Sequence, residues 1–120
     1  MNKSNVRLEL ERGCGFEQQR RFKLAHDSYL IAAKAGSIEA QVNLANLYDE
    51  GKGCKRDITA AIHWYKRAVK SGSAEAAYNL GVHYQRRGVA RWAGHWFKRA
   101  AELGDGDAKK ELRRLIKRSK

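Results

Sequence analysis

Proline is absent from the chain, so no proline-marked turn or kink interrupts it and glycine is left as the main breaker of helices. Cysteine is scarce. Cys14 and Cys54 form no CxxC pair, which leaves a structural zinc site without support, and two thiols with no export signal read as free rather than bridged. Long apolar runs are missing too. Residues 1–7 hold no stretch of signal-peptide length, and nowhere does the sequence approach the roughly 18 apolar residues of a membrane span. The expectation is a cytoplasmic protein that makes no use of a membrane. Enzyme signatures are also lacking: there is no HExxH, no phosphate-cradling glycine loop and no nucleophile elbow.

What is present suits one modest core. At 120 residues, with 42% hydrophobic residues, three Trp, five Tyr and three Phe, the chain has room for a single domain, residues 1–120. Its mean hydropathy of -0.72 points to a heavily charged surface. The net charge is +12, from 25 Lys and Arg against 13 Asp and Glu. It is unevenly placed, since residues 85–120 hold twelve basic and four acidic residues, a balance of +8. Such a bias attracts acidic proteins, nucleic acids or anionic surfaces alike, and it speeds encounter more than it defines a target.

Internal repetition is the strongest signal. Gly36, Ser37, Glu39, Ala40, Asn43, Leu44 and Tyr48 recur 36 residues later as Gly72, Ser73, Glu75, Ala76, Asn79, Leu80 and Tyr84. Ala61, His63, Trp64, Lys66, Arg67 and Ala68 recur only 32 residues later, as Ala93, His95, Trp96, Lys98, Arg99 and Ala100, with Tyr65 answered by Phe97. Four residues have been lost near residues 51–57, a change that a connection tolerates and a helix does not. Each unit is therefore two helices and a turn.

Helical periodicity agrees. Ala40, Leu44, Leu47 and Tyr48 form one apolar stripe, Ala76, Leu80 and Tyr84 its equivalent, and Ile58, Ala61, Ile62, Tyr65, Ala68 and Val69 the stripe of a second helix that Trp64 extends. Asp57 stands where an N-cap is useful, and Ser71-Gly72 where a left-handed residue stops a helix. Ala45 and Gly81 take matched places that allow close helix approach. The glycines at 13, 15, 51, 53 and 88 are assigned to turns.

The run Ala40-x-x-x-Leu44-Ala45-x-x-Tyr48-x-x-Gly51-x-Gly53, followed by Asp57 and Ala61-x-x-Trp64-Tyr65-x-x-Ala68, resembles a Sel-1-like repeat, a relative of the tetratricopeptide repeat. Ala76-x-x-x-Leu80-Gly81-x-x-Tyr84 keeps the first helix of the next unit, its connection through Gly88 is closer to tetratricopeptide length, and Trp96-Phe97-Lys98-Arg99-Ala100-Ala101-Glu102-x-Gly104 closes it. The expected fold is an all-α superhelix, a solenoid of two to three helix-turn-helix repeats and five or six helices. Residues 1–35 are a degenerate repeat whose first helix, around residues 6–12, has decayed; residues 36–71 and 72–103 are repeats. Residues 104–120 are a basic capping helix, with Leu112, Leu115 and Ile116 closing the core.

The resemblance implies scaffolding and adaptor work, including in small bacterial members that assist secretion or neutralise toxins. It places Val42, Asn46, Asp49, Glu50, Tyr78, Val82, Gln85 and Arg86 in a concave wall that binds a protein or peptide, flanked by Asn43 and Asn79. Amides there can hold a ligand backbone, or simply be solvated. Lys109, Lys110, Arg113, Arg114, Lys117 and Arg118 would form a basic rim that steers an acidic partner.

Other constellations carry less. His63 and His95 sit beside Trp64 and Trp96 and suit packing or a surface hydrogen bond, while His26 and His83 have no acid, Cys or Ser at a telling interval. Asp49 with Glu50, and Asp105 with Asp107, suit caps or solvated charge better than an acid-base pair. No catalytic residue, metal or cofactor is expected. Trp64 and Trp96 fall on a core stripe, whereas Trp92 has no counterpart in the preceding unit and reads as an exposed anchor near Arg86, Arg87 and Arg91. An aromatic in a basic patch can also stack on a base, so the alternative function is nucleic-acid binding through the basic C-terminal helix.

Overall fold

The structure is a computed structural model that describes residues 1–118. Among them are seven helices and no strand: α1 (Lys3–Gln18), α2 (Phe22–Lys34), α3 (Ile38–Glu50), α4 (Ile58–Lys70), α5 (Ala74–Arg86), α6 (Ala90–Glu102) and α7 (Gly106–Arg118). The chain divides into two compact units, Met1–Ala68 and Val69–Lys120. Ser119 and Lys120, the end of the expected basic cap, lie outside the described residues.

Matched caps start the first helices of successive repeats. The Oγ of Ser37 accepts from the Ala40 N–H, that of Ser73 from Ala76, and the Asp105 carboxylate from Ala108, which satisfies one orphan donor at each N-terminus. Asp57 does the same for α4 through the Ala60 N–H at 3.0 Å. Gly36, Gly72 and Gly104 carry φ of 102°, 99° and 103° at the turns that precede these caps, where an L side chain would be strained.

In the first unit α1 packs on α2 and α2 on α3; in the second α5 packs on α6 and α6 on α7. Tyr29, Leu44 and Leu47 are fully enclosed in the former, Leu80 and Phe97 in the latter. Close approach rests on small residues. A Cβ at Gly81 would stand 2.5 Å from the Phe97 ring, and one at Gly13 would stand 2.5 Å from the ring of Tyr29.

Several expectations need correction. There are seven helices among the described residues rather than five or six, and the first is a sixteen-residue helix rather than a decayed remnant. Gly13 and Gly15 lie inside α1 and not in a turn, because the Tyr29 ring takes the space a side chain at 13 would need. Gly13 and Tyr29 are spaced as Gly81 and Phe97 are, and Asp105 and Ala108 stand where Ser73 and Ala76 do, so α7 begins as one more first helix. Ile116 does not close the core: it is 51% exposed, while Leu112 and Leu115 are half-buried.

Candidate interaction surfaces

The first helix of each repeat can offer only the side chains that packing leaves over. On α3, Ala40, Gln41, Val42, Leu44, Ala45 and Leu47 are all buried, so Val42, expected in the wall, belongs to the core. It is 2% exposed and cannot meet a partner. Gln41 is held inside by donating from Nε2 to the Ala33 carbonyl at 3.1 Å. Asn43, Asn46 and Asp49 are half-buried, and Glu50 is exposed. Asn46 is already engaged, since its Oδ1 accepts from the Tyr65 hydroxyl, which makes it a strut between α3 and α4. Glu50 meets Lys52 at 2.7 Å in a half-exposed ion pair, of the kind that is worth little.

In the second unit Tyr78, Asn79, Val82 and Gln85 are half-buried along α5, with Arg86 exposed at its end. Tyr78 leans on Phe97, with centroids 5.5 Å apart. Burial raises its hydroxyl above the usual tyrosine value, and the charges of Glu111, Asp107 and Asp105 push the same way. Gln85 donates to the Glu111 carboxylate at 3.1 Å. The α5 row is thus bordered by acid groups despite the basic balance of the unit.

The bases lie elsewhere. Lys109, Lys110, Arg113, Arg114, Lys117 and Arg118 are exposed on α7, and of these Arg114 pairs with Glu111 at 2.7 Å. Arg118 also borders an open pocket of about 310 Å³ with Gln85, Gly88, Ala90 and Leu115. On α6, Arg91, His95, Lys98 and Arg99 are exposed, and so are Arg87 and Val89 before it.

Trp92 is 48% exposed and sits in a row of rings: Tyr84 at 6.3 Å, His95 at 5.5 Å, and Trp96 beyond it at 4.9 Å from His95. Trp64 is buried at 7% exposure, with the Arg67 guanidinium 5.3 Å above its ring. Trp96 is half-buried, so it is less enclosed than the stripe implied.

Val89 was not among the expected site residues. Its signal lay in the repeat, where a Val, unable to cap, takes the place of Asp57.

No cluster of three or more His, Cys, Asp or Glu able to hold a metal occurs among the described residues. Cys14 and Cys54 are both free, and burial raises the Cys54 thiol above its usual value, away from the thiolate that reactivity requires. Among the described residues no helix is long and apolar enough to cross a membrane.

Comparison with known proteins bears on the family and the fold. Among curated proteins no sequence relative matches. A Sel1 repeat protein from Oxalobacter formigenes is 32% identical over 75% of this chain and 39% of its own, with a TM-score of 0.65. A protective antigen of uropathogenic Escherichia coli strains, displaying an SLR fold, is 25% identical over 95% of this chain and 26% of its own, at a TM-score of 0.84. The chain therefore spans well under half the length of either. The first TPR of Spaghetti, solved with an HSP90 peptide bound, is 20% identical over 98% of this chain and 94% of its own at a TM-score of 0.75, a likeness of fold. The fold is all-α, of the helical-repeat solenoid class, and repeats of this kind generally mediate protein–protein interaction. The Sel1 repeat matches at residues 38–73 and 74–105, more than half of the sequence, and the chain belongs to the Sel1 repeat family.

Proposed function

We propose that the protein is a non-enzymatic adaptor that binds partner-protein segments on the first helices of its repeats, α3 in the first unit and α5 in the second, each by itself. The observation that carries this is the repeated placement of Asn43 and Asn79: each stands half-buried on a first helix, at matching positions 36 residues apart in the sequence. An amide offers both a donor and an acceptor to a peptide backbone without reading its sequence. Asp49 and Glu50 on α3, and Tyr78, Val82, Gln85 and Arg86 on α5, flank these amides and supply the side-chain contacts. The exposed bases of α7, Lys110, Arg113, Arg114, Lys117 and Arg118, act at a distance by steering an acidic partner.

Asn43→Ala with Asn79→Ala is the test, run beside a thermal melt because Asn79 also has a contact within the protein, as Asn46 and Tyr78 do. A partner protein captured by the wild type at moderate salt should be lost from the double variant while the helical fold is retained. Retention by both proteins would move the site off the first helices. Nucleic-acid binding is the rival that the α7 bases favour. Tight binding of a random oligonucleotide at physiological salt, falling steeply between about 50 and 200 mM and abolished by Arg113→Glu, Lys117→Glu and Arg118→Glu together, would replace the adaptor reading.

A further inference from the structure

The third helix pair departs from the second at two positions where the repeat itself makes no demand. Asp57, which caps α4, is answered before α6 by Val89, which forms no side-chain cap and is 36% exposed. Ala60 is answered by Trp92, 48% exposed. The corresponding residues of the first pair are Arg21 and Leu24. Packing at the latter position is therefore met by Ala, and a Trp left half in water is a cost that a covering partner removes.

The neighbouring bases differ in the same direction. In the first unit they are spent on the protein's own rings: Arg21 stands 5.5 Å from the Phe16 centroid, and Arg20 and Lys52 stand 5.3 and 5.2 Å from that of Phe22. Arg87, Arg91 and Arg99 are exposed. Among the described residues they meet no carboxylate and stand over no ring. Arg99 lies seven residues after Trp92, on the same side of α6.

We infer that Val89 and Trp92, framed by Arg87, Arg91 and Arg99, form a docking site for an acidic segment of a partner protein, with one apolar side chain against Trp92 and carboxylates on the arginines. The site shares the protein-binding reading but not its surface. Beside the α5 row, Glu111, Asp107 and Asp105 act on Tyr78 against Arg114, so the row itself supplies little charge for an acidic segment; the α6 edge provides it. Aromatic and Arg side chains are the usual anchors of such contacts, and desolvation strengthens their pairing with carboxylates. A nucleic-acid strand fits less well. Strand-binding proteins present successive open rings along a basic track, whereas here the Trp92 ring has Tyr84 and His95 against it and the exposed Glu102 lies further along α6.

The experiment is selection of a displayed random peptide library on the full chain at about 150 mM salt. Affinities of the enriched peptide, made synthetically, are then measured on wild type, Trp92→Ala, Trp92→Phe and the Asn43→Ala, Asn79→Ala double variant, with a thermal melt of each. Enriched peptides should combine Asp and Glu with one aromatic or large aliphatic residue. Binding should weaken at least about tenfold on Trp92→Ala, recover largely on Trp92→Phe and stay unchanged on the asparagine variant. Failure to enrich acidic peptides would overturn the inference, as would acidic peptides that bind Trp92→Ala like wild type. Loss on the asparagine variant alone would return the contact to the first helices, leaving the adaptor reading intact. A random single-stranded oligonucleotide that binds more tightly than the peptide, and through Trp92, would overturn it in favour of nucleic acid.

Discussion

The second helix pair folds its connection back onto its own unit, and the third leaves its connection open. Residues 51–57 turn through Gly51 and Gly53, at φ 67° and 74°. A Cβ at Gly53 would run into the Phe22 backbone, so this loop lies directly on the start of α2. Lys52 stands over the Phe22 ring, Arg56 donates to the Asp49 carbonyl at 2.9 Å, and Asp57 caps α4. Between α5 and α6, residues 87–89 suffice, and the side chains beside them face water. The α1–α2 connection is also three residues long. Connections can vary in this way because the helix contacts do not: Gly13 meets Tyr29 as Gly81 meets Phe97. Conserving the packing within each pair frees its connection for other uses.

If the cores are equivalent while the connections differ, the largest losses should fall equally on both units. Tyr29→Ala and Phe97→Ala each remove a ring that is at most 1% exposed, and each should cost about 3–5 kcal/mol in denaturant unfolding. A loss below about 1 kcal/mol at either position would break the equivalence.

The small residues test the same point from the other side. Gly81→Ala and Gly13→Ala force a methyl onto an enclosed ring and should cost about 1–3 kcal/mol, whereas Gly15→Ala, in the same helix with nothing within 4 Å of the added carbon, should gain up to about 1 kcal/mol. Thermal melts of the three variants decide it. A neutral Gly81→Ala would show that Phe97 has room to move and that close approach is incidental.

Repetition made the second and third helix pairs legible, because near-identical residues at 36 and 32 spacing survive there. The first pair was not legible by the same route: its identities have drifted, and what persists is the spacing of a small residue and a ring, Gly13 to Tyr29, which only packing reveals. Glycine inside α1 looked like turn chemistry because the ring that fills its place lies sixteen residues away. Val42 was misplaced for a different reason. A helix packed on several neighbours is buried on more than one face, so α3 encloses Gln41 and Val42 as well as the stripe of Ala40, Leu44 and Leu47. Asn46 looked available until the Tyr65 hydroxyl was found on it. Exposure of Trp92 was legible from its lack of a counterpart.

The caps allow the two connections to be exchanged in part. Asp57→Ala removes the bond to the Ala60 N–H and should cost about 1 kcal/mol, while Val89→Asp supplies the cap that α6 lacks and should gain about as much. Equilibrium unfolding of both variants is the measurement. If Val89→Asp brings no stability, the open end of α6 is already satisfied by other means, and the contrast between the connections is one of length alone.

The smallest effect is a dependence on pH that the first unit should show through His26. This side chain lies edge-on to Tyr48 with centroids 4.8 Å apart, and its buried Nε2 has no hydrogen-bond partner among the described residues. Burial pulls its pKa below the usual 6.5, against the opposing charge of Asp27. A depressed histidine favours the folded state only while neutral. Its contribution is present above about pH 6.5 and is lost as the pH falls through the lower folded-state value, where the unfolded chain takes up the proton first. The repeat places Ile62 at the equivalent position, so His26→Ile keeps an apolar shape and removes the titration. The drop in melting temperature between about pH 7.5 and pH 5 should be smaller in that variant than in the wild type. An identical drop in both would place the acid sensitivity outside the α2–α3 contact and leave His26 as packing alone.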